Sequence, residues 1–183
     1  MVPPIPYYAW LVRGCLLIVL LAVIVGALGA QSAGSSSPSH RIDQRGVGGA
    51  PLGLRRAGYV RRLGHVSYTT RLPGGLERLT FVRREIVVYL SRAGRGVAVL
   101  TSEKEYRTKS GVGPCSSVRS LKRTYRGRLA AKRKSRNVVA YELGHLVFAT
   151  PYHVVGVVML ASPTFPITVA VNAYQCGDPG DPE

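Results

Sequence analysis

The strongest concentration of chemically active side chains in the sequence is the basic run at residues 113–136, "GPCSSVRSLKRTYRGRLAAKRKSR". It holds nine Lys or Arg residues and no acid. Clustered cations attract phosphates and other anions with little sequence specificity, although on a helix they can also serve only as the solvated face. The residues that we predict to bind anions are Arg119, Lys122, Arg123, Arg126, Lys132, Arg133, Lys134 and Arg136.

Residues suited to catalysis or metal binding are sparse. Glu103 and Glu105 form a close acid pair, but cations flank them, which is typical of a solvated strand edge rather than an acid–base pair. His145 and His153 lie eight residues apart, a weak pattern for metal ligands. The sequence also lacks a G-x-S-x-G elbow, a phosphate-binding glycine loop and a Cys-x-x-Cys motif. We therefore predict a non-enzymatic protein without cofactor or metal.

Two cysteines, Cys115 and Cys176, lie downstream of the apolar N-terminal region. In an exported protein such a pair is typical of a disulfide, which would close a loop of about sixty residues and stabilise the fold by roughly 4 kcal/mol. The alternative is two unrelated buried thiols. We predict the disulfide Cys115–Cys176.

The elements that must position these residues are indicated by a weak internal repeat. Residues 79–102 and 139–162 align without a gap at an offset of sixty, with five identities in twenty-four positions and a matching apolar pattern. Self-similarity at a fixed period indicates duplicated units, although two apolar hairpins could also align by composition alone.

Each copy predicts a short helix followed by β-rich runs. In the second copy, Val118, Leu121 and Tyr125 have helical spacing, Ser116 or Ser117 can start the helix, and Gly127 can end it. The first copy has its own apolar set ending at Gly64. The predicted strands are residues 78–82, 85–91 and 96–102, then 137–143, 145–150 and 154–162, with a last run at 167–176.

This pattern carries a resemblance over about residues 50–176. A hydrophobic-Gly lead-in, the stretch "GPCSSVRSLKRTYRG", the strand pair in "AYELGHLVFA" and a last strand "VVGVVM" resemble small exported helix-plus-sheet modules. Examples of that fold are the β-lactamase-inhibitor protein and the small lipoprotein of the outer-membrane β-barrel assembly machinery. The composition is similar to that of exported proteins of high-GC actinobacteria. The resemblance implies a non-enzymatic binding or scaffolding protein and assigns no site residue.

The N-terminal region predicts membrane targeting. Residues 14–30 are uncharged and mostly apolar, follow Arg13 and precede a Ser-rich spacer, which is typical of a signal peptide or a short signal anchor. Arg41 and Arg45 follow the segment and weakly oppose export by the positive-inside rule. We expect a single N-terminal span with an extracytoplasmic C-terminal domain, or a secreted protein if the signal is cleaved.

These expectations combine into one prediction. The fold class is α+β: an N-terminal apolar helix, then two tandem modules, each a short helix packed on a three- to four-stranded antiparallel sheet. The domains are residues 1–30 (signal), 31–49 (flexible Ser/Gly-rich linker), 50–109 and 110–176 (modules) and 177–183 (acidic disordered tail).

Composition bears on the partner. The chain has 183 residues, a formal charge of +16 and 46% hydrophobic residues, so it can build a core and favours anionic partners. We expect an exported, membrane-tethered binding or scaffolding protein whose basic face meets an anionic cell-envelope polymer, phospholipid headgroups or an acidic protein. The alternative is a cytoplasm-facing, membrane-anchored protein that binds nucleic acid non-specifically.

Overall fold

The computed structural model describes residues 40–134, 138–167 and 176, and all of them belong to one compact unit. The predicted signal segment, residues 31–39 of the linker, the acidic tail and residues 168–175 of the last predicted strand lie outside the described residues. No helix among the described residues is both long enough and apolar enough to cross a membrane.

Two short helices and eleven strands make up the described part. The helices are α1 (Arg56–Leu63) and α2 (Val118–Thr124). The strands are β1 (Arg41–Asp43), β2 (Gly46–Val47), β3 (Tyr68–Leu72), β4 (Leu76–Phe81), β5 (Ile86–Leu90), β6 (Gly96–Thr101), β7 (Arg107–Thr108), β8 (Ala130–Arg133), β9 (Val138–Leu143), β10 (Leu146–Pro151) and β11 (Val157–Ala161).

A small three-stranded sheet in the order β2-β1-β7 lies near the start of the described chain. Strand β1 pairs antiparallel with β2 and parallel with β7. The sequence assigns residues 41–47 to the linker, yet they form two of these strands because Ile42 and Val47 are both buried in the core.

The main sheet has eight antiparallel strands in the order β3-β4-β5-β6-β11-β10-β9-β8. Its middle pairing joins β6 to β11, with Val99 opposite Leu160 and Leu100 opposite Met159. Four strands lie on each side of this pairing, so the strand order is symmetric about it. Adding sixty to Val99 gives Met159 and adding sixty to Leu100 gives Leu160, so the sequence offset exchanges the two residue pairs. Whether the two halves arose by duplication stays a prediction.

The predicted fold class is wrong. The strands do not form two modules with separate sheets; they form one continuous eight-stranded sheet plus a three-stranded one, and the two helices hold only eight and seven residues, so the protein is mainly β. The physical reason lies in β6 and β11. Because β11 is buried along its whole length and β6 nearly so, ending a sheet at either strand would expose apolar side chains and unpaired backbone groups.

Each face of the main sheet carries its own apolar cluster. On one face, the helices contribute Tyr59, Leu63, Leu121 and Tyr125, and the small sheet contributes Ile42. On the other face, Tyr89, Met159 and neighbouring residues pack with Phe165, whose ring centroid lies 5.1 Å from that of Tyr89. Both helices therefore cover the same face of the sheet.

Candidate anion-binding sites

Helix α2 holds its basic side chains outward because its opposite side is locked into the core. Ser117 caps the helix, its Oγ accepting a hydrogen bond from Ser120 N at 3.1 Å. Leu121 is fully buried and Tyr125 nearly so, and the Tyr125 hydroxyl donates to Thr108 Oγ1 at 2.7 Å. The capping and the apolar spacing predicted from the sequence are both present.

Four of the predicted anion-binding residues share the exposed side of α2 and the turn after it. We call this surface the α2 basic face; it consists of Arg119, Lys122, Arg123 and Arg126, all exposed. Lys122 Nζ lies 5.4 Å from the ring centroid of Tyr141, a cation–π distance. In the part of the chain that the structure describes, none of the four forms an ion pair with an acid. The face can therefore meet an anion without first breaking a salt bridge.

Of the other four predicted residues, the structure describes the side chains of Lys132 and Lys134. Lys132 Nζ lies 2.7 Å from Glu142 Oε2, so an acid on the neighbouring strand already neutralises it. Lys134 is partly buried at the end of β8, where its backbone N–H donates to Val138 O at 3.0 Å. Arg133 lies in β8, and Arg136 falls outside the described residues.

A disulfide joins Cys115 to Cys176, as predicted, across a sequence separation of 61. Cys115 lies just before α2, and its backbone N–H donates to Val155 O at 2.7 Å. Cys176 Sγ lies 3.6 Å from the same carbonyl oxygen. The start of α2 is thereby tied both to the loop before β11 and to the distant Cys176.

The predicted acid pair belongs to a group of three. Glu85 joins Glu103 and Glu105, and carboxylate oxygens of the three lie within 4.8 Å of one another. Partial burial, and then the charges of Glu85 and Glu105, raise the pKa of Glu103 above its usual 4.5. Sequence reasoning missed Glu85 because it lies eighteen residues earlier, in the left-handed residue that ends the turn between β4 and β5.

The two histidines are separate from this group. Both His145 and His153 are exposed in turns, and their contacts run through the backbone: His145 N donates to Gln44 Oε1, and His153 O accepts from Val118 N. Neither joins a three-residue cluster of metal-ligating side chains among the described residues.

A cleft that the sequence does not predict lies between the β1–β2 hairpin and the end of α1. It encloses about 300 Å³ and includes three arginines, Arg41, Arg45 and Arg62, with Asp43 as its one acid. Arg62 comes from the last turn of α1, and its Nη1 donates to Gly49 O at 3.3 Å. We call this site the arginine cleft. Its three cations are spread over twenty-two residues of sequence, so no local basic run indicates it.

Comparisons with known proteins identify no family. No protein-family model and no curated protein matches the chain. Among solved structures, the chain is similar to an extracellular SCP-domain protein from Bacillus anthracis, with a TM-score of 0.47 and 8% identity over 68% of this chain. The match spans about half, 47%, of that protein. A TM-score of this size does not establish a shared fold, and the resemblance to small exported helix-plus-sheet modules stays a prediction.

Proposed function

We propose that this protein is an exported, non-enzymatic binding protein, tethered by its apolar N-terminal segment, whose α2 basic face contacts an anionic component of the cell envelope. The observation that carries the proposal is the α2 basic face itself: four exposed cations on a capped helix and the turn after it, with no acid paired to them in the described residues. The Cys115–Cys176 disulfide supports export, since disulfides persist in oxidising compartments.

The physical basis of the contact is attraction between the cations of the α2 basic face and the negative charges of the partner. A cation close to an anionic surface contributes about 1 kcal/mol, and the contribution falls within a Debye length of about 8 Å at physiological salt. Four cations on one short helix and the turn after it can therefore act together on a polymer or a headgroup layer, with binding that weakens steeply as salt rises.

The binding test replaces Arg119, Lys122, Arg123 and Arg126 with Gln. We expect adsorption to phosphatidylglycerol vesicles or to a poly(glycerol phosphate) to fall at least a hundredfold, measured by co-sedimentation at 50 and 150 mM salt. The matched control replaces four exposed arginines elsewhere, Arg61, Arg71, Arg83 and Arg92, and should change adsorption less than threefold. Equal losses in both variants would show a charge effect of the whole molecule and overturn the assignment to α2.

The compartment test is a topology fusion. Alkaline phosphatase fused after Glu183 is expected to be active, because it needs an oxidising compartment for its own disulfides. An inactive fusion, together with a bright fluorescent-protein fusion at the same position, would contradict the export proposal. If DNA binding in the co-sedimentation assay is then salt-sensitive and is lost when the four residues of the α2 basic face are replaced, the result would favour the cytoplasm-facing nucleic-acid binder.

A further inference from the structure

We propose that the arginine cleft is a second, independent site that binds a phosphoryl group bearing two negative charges. The site is built from three separate elements: β1 supplies Arg41, the β1–β2 turn supplies Arg45, and the end of α1 supplies Arg62. The cleft shares no residue with the α2 basic face, so the two proposals can be tested, and refuted, independently.

The charge of the lining selects the ligand class. Three guanidinium groups and the Asp43 carboxylate leave the cleft with a formal charge of +2, and no other ionisable residue lines it. The Asp43 carboxylate is already committed: Oδ1 accepts from the backbone N–H groups of Arg45 and Gly46, and Oδ2 lies 3.5 Å from Arg41 Nε. A phosphate or phosphate monoester carries up to two charges near neutral pH and matches this excess, whereas a carboxylate carries one.

The hydrogen-bonding capacity of the cleft exceeds what the protein uses. Each guanidinium has five N–H donors in a planar fork that suits phosphate oxygens. Within the described residues, Arg62 Nη1 donates to Gly49 O and Arg41 Nε lies in an ion pair with Asp43. The Arg45 side chain has no protein acceptor among these residues. The remaining donors are available to an anion that enters the cleft.

The hairpin that carries Arg45 is held in place from the outside. Gln44 Nε2 donates to Leu143 O at 2.6 Å, and Gln44 Oε1 accepts from His145 N at 3.0 Å. These two bonds anchor the hairpin to the β9–β10 turn, a hundred residues away in sequence. A backbone fixed in this way loses less conformational entropy when the arginine forks close on a ligand.

The size of the cleft limits the ligand. About 300 Å³ is at the small end of ligand sites, room for a phosphoryl group with a short substituent. Gly49 and the three arginines of the cleft are all exposed, so the cleft is open to solvent. A small phosphate monoester can therefore enter from solvent.

Calorimetric titration of the full chain with four soluble probes tests the ligand class: inorganic phosphate, glycerol 3-phosphate, acetate and succinate. We expect saturable one-to-one binding of the two phosphates and at least tenfold weaker binding of both carboxylates. Succinate carries the same charge as a phosphate monoester, so equal succinate binding would overturn the phosphoryl assignment. A further arm uses phosphatidic acid vesicles, whose headgroup is a phosphate monoester, and the variant with Arg119, Lys122, Arg123 and Arg126 replaced by Gln. Competition by glycerol 3-phosphate would identify the lipid headgroup as one source of the ligand, and its absence would leave the soluble monoester as the source.

Two double variants locate the site. Arg41→Gln with Arg45→Gln should weaken glycerol 3-phosphate binding at least tenfold, whereas Arg119→Gln with Arg123→Gln removes the same charge and should change it less than twofold. Arg45→Gln alone disturbs no side-chain contact among the described residues and should leave the fold intact. Its affinity for glycerol 3-phosphate is nevertheless expected to fall threefold or more. Unchanged binding in the Arg41/Arg45 variant, or no phosphate binding by the native chain, would overturn the proposal.

Discussion

At the scale of single residues, the acid group at Glu85, Glu103 and Glu105 shows how burial and like charges act together. Glu103 is partly buried, and its carboxylate lies among two others. Burial first, and then repulsion from Glu85 and Glu105, disfavours its charged form and raises its pKa. The cations flanking Glu103 in sequence did not indicate this, because Glu85 joins the group only in the folded chain.

The raised pKa of Glu103 predicts a pH dependence of stability. The native state holds this proton more tightly than the unfolded state, so the free energy of unfolding falls as pH rises from 4.5 through the native pKa. Glu103→Gln removes that fall, and its melting temperature should exceed that of the native chain at pH 7 but not at pH 4. The measurement is thermal unfolding by circular dichroism between pH 4 and 8. As a control, Glu77→Gln breaks the 2.9 Å pair with Arg56 and should lower stability slightly at pH 7; a gain there equal to that of Glu103→Gln would contradict the explanation.

At the scale of elements, the close packing of α1 on β6 explains why the first residue of that strand is a glycine. Tyr59 is fully buried, and its hydroxyl donates to Pro51 O at 2.6 Å. A Cβ at Gly96 would lie 1.9 Å from that hydroxyl oxygen and 2.6 Å from Cζ of the ring. The sequence predicted only that a strand begins at Gly96, whereas the structure assigns this glycine a packing role against a helix residue 37 positions upstream.

Gly96→Ala should therefore be strongly destabilising. Tyr59 must move, which costs core packing and leaves the Pro51 carbonyl without its partner, a loss of about 2–4 kcal/mol in total. Urea unfolding at constant m-value measures it. In a Tyr59→Phe background the nearest atom is already gone, so the same substitution should cost at least 1 kcal/mol less. An equal cost in both backgrounds would contradict the clash with the hydroxyl.

At the scale of the whole molecule, the Cys115–Cys176 disulfide links the start of α2 to a residue 61 positions later. Closing a loop of that length restricts the unfolded chain and stabilises the native state by roughly 4 kcal/mol. Separately from this link, the hydrogen bond from Cys115 N to Val155 O places the start of α2 next to the loop before β11. Cys115 therefore contributes to stability through its disulfide and to the position of α2 through its backbone.

Replacing both Cys115 and Cys176 with Ser should lower the melting temperature by roughly 8–16 °C, the equivalent of about 4 kcal/mol in a chain of this size. Reductant should produce a similar shift in the native chain, measured by calorimetry. The Ser variant is its own control, since reductant should leave it unchanged. A native chain whose melting temperature does not respond to reductant would refute the stabilising role.

Much of the local structure follows from the sequence because its causes are local. The Ser117 cap, the inward spacing of Leu121 and Tyr125 and the approximate strands β5, β6, β10 and β11 depend on neighbours within a few residues. Charge and cysteine count likewise depend on composition alone, and they indicated the α2 basic face and the disulfide. Strand partners and long-range clusters have no such local cause.

The sequence was enough to place the helices, six of the eleven described strands, the basic helix face and the cysteine pair. Tertiary structure alone decided that β6 pairs with β11, that Glu85 joins Glu103 and Glu105, and that Arg41, Arg45 and Arg62 surround one cleft. The physical reason is that hydrophobic periodicity records which side of an element is buried, whereas backbone pairing can be satisfied by any strand with a free edge. Only packing of the whole chain selects the partner, and with it the side chains that meet.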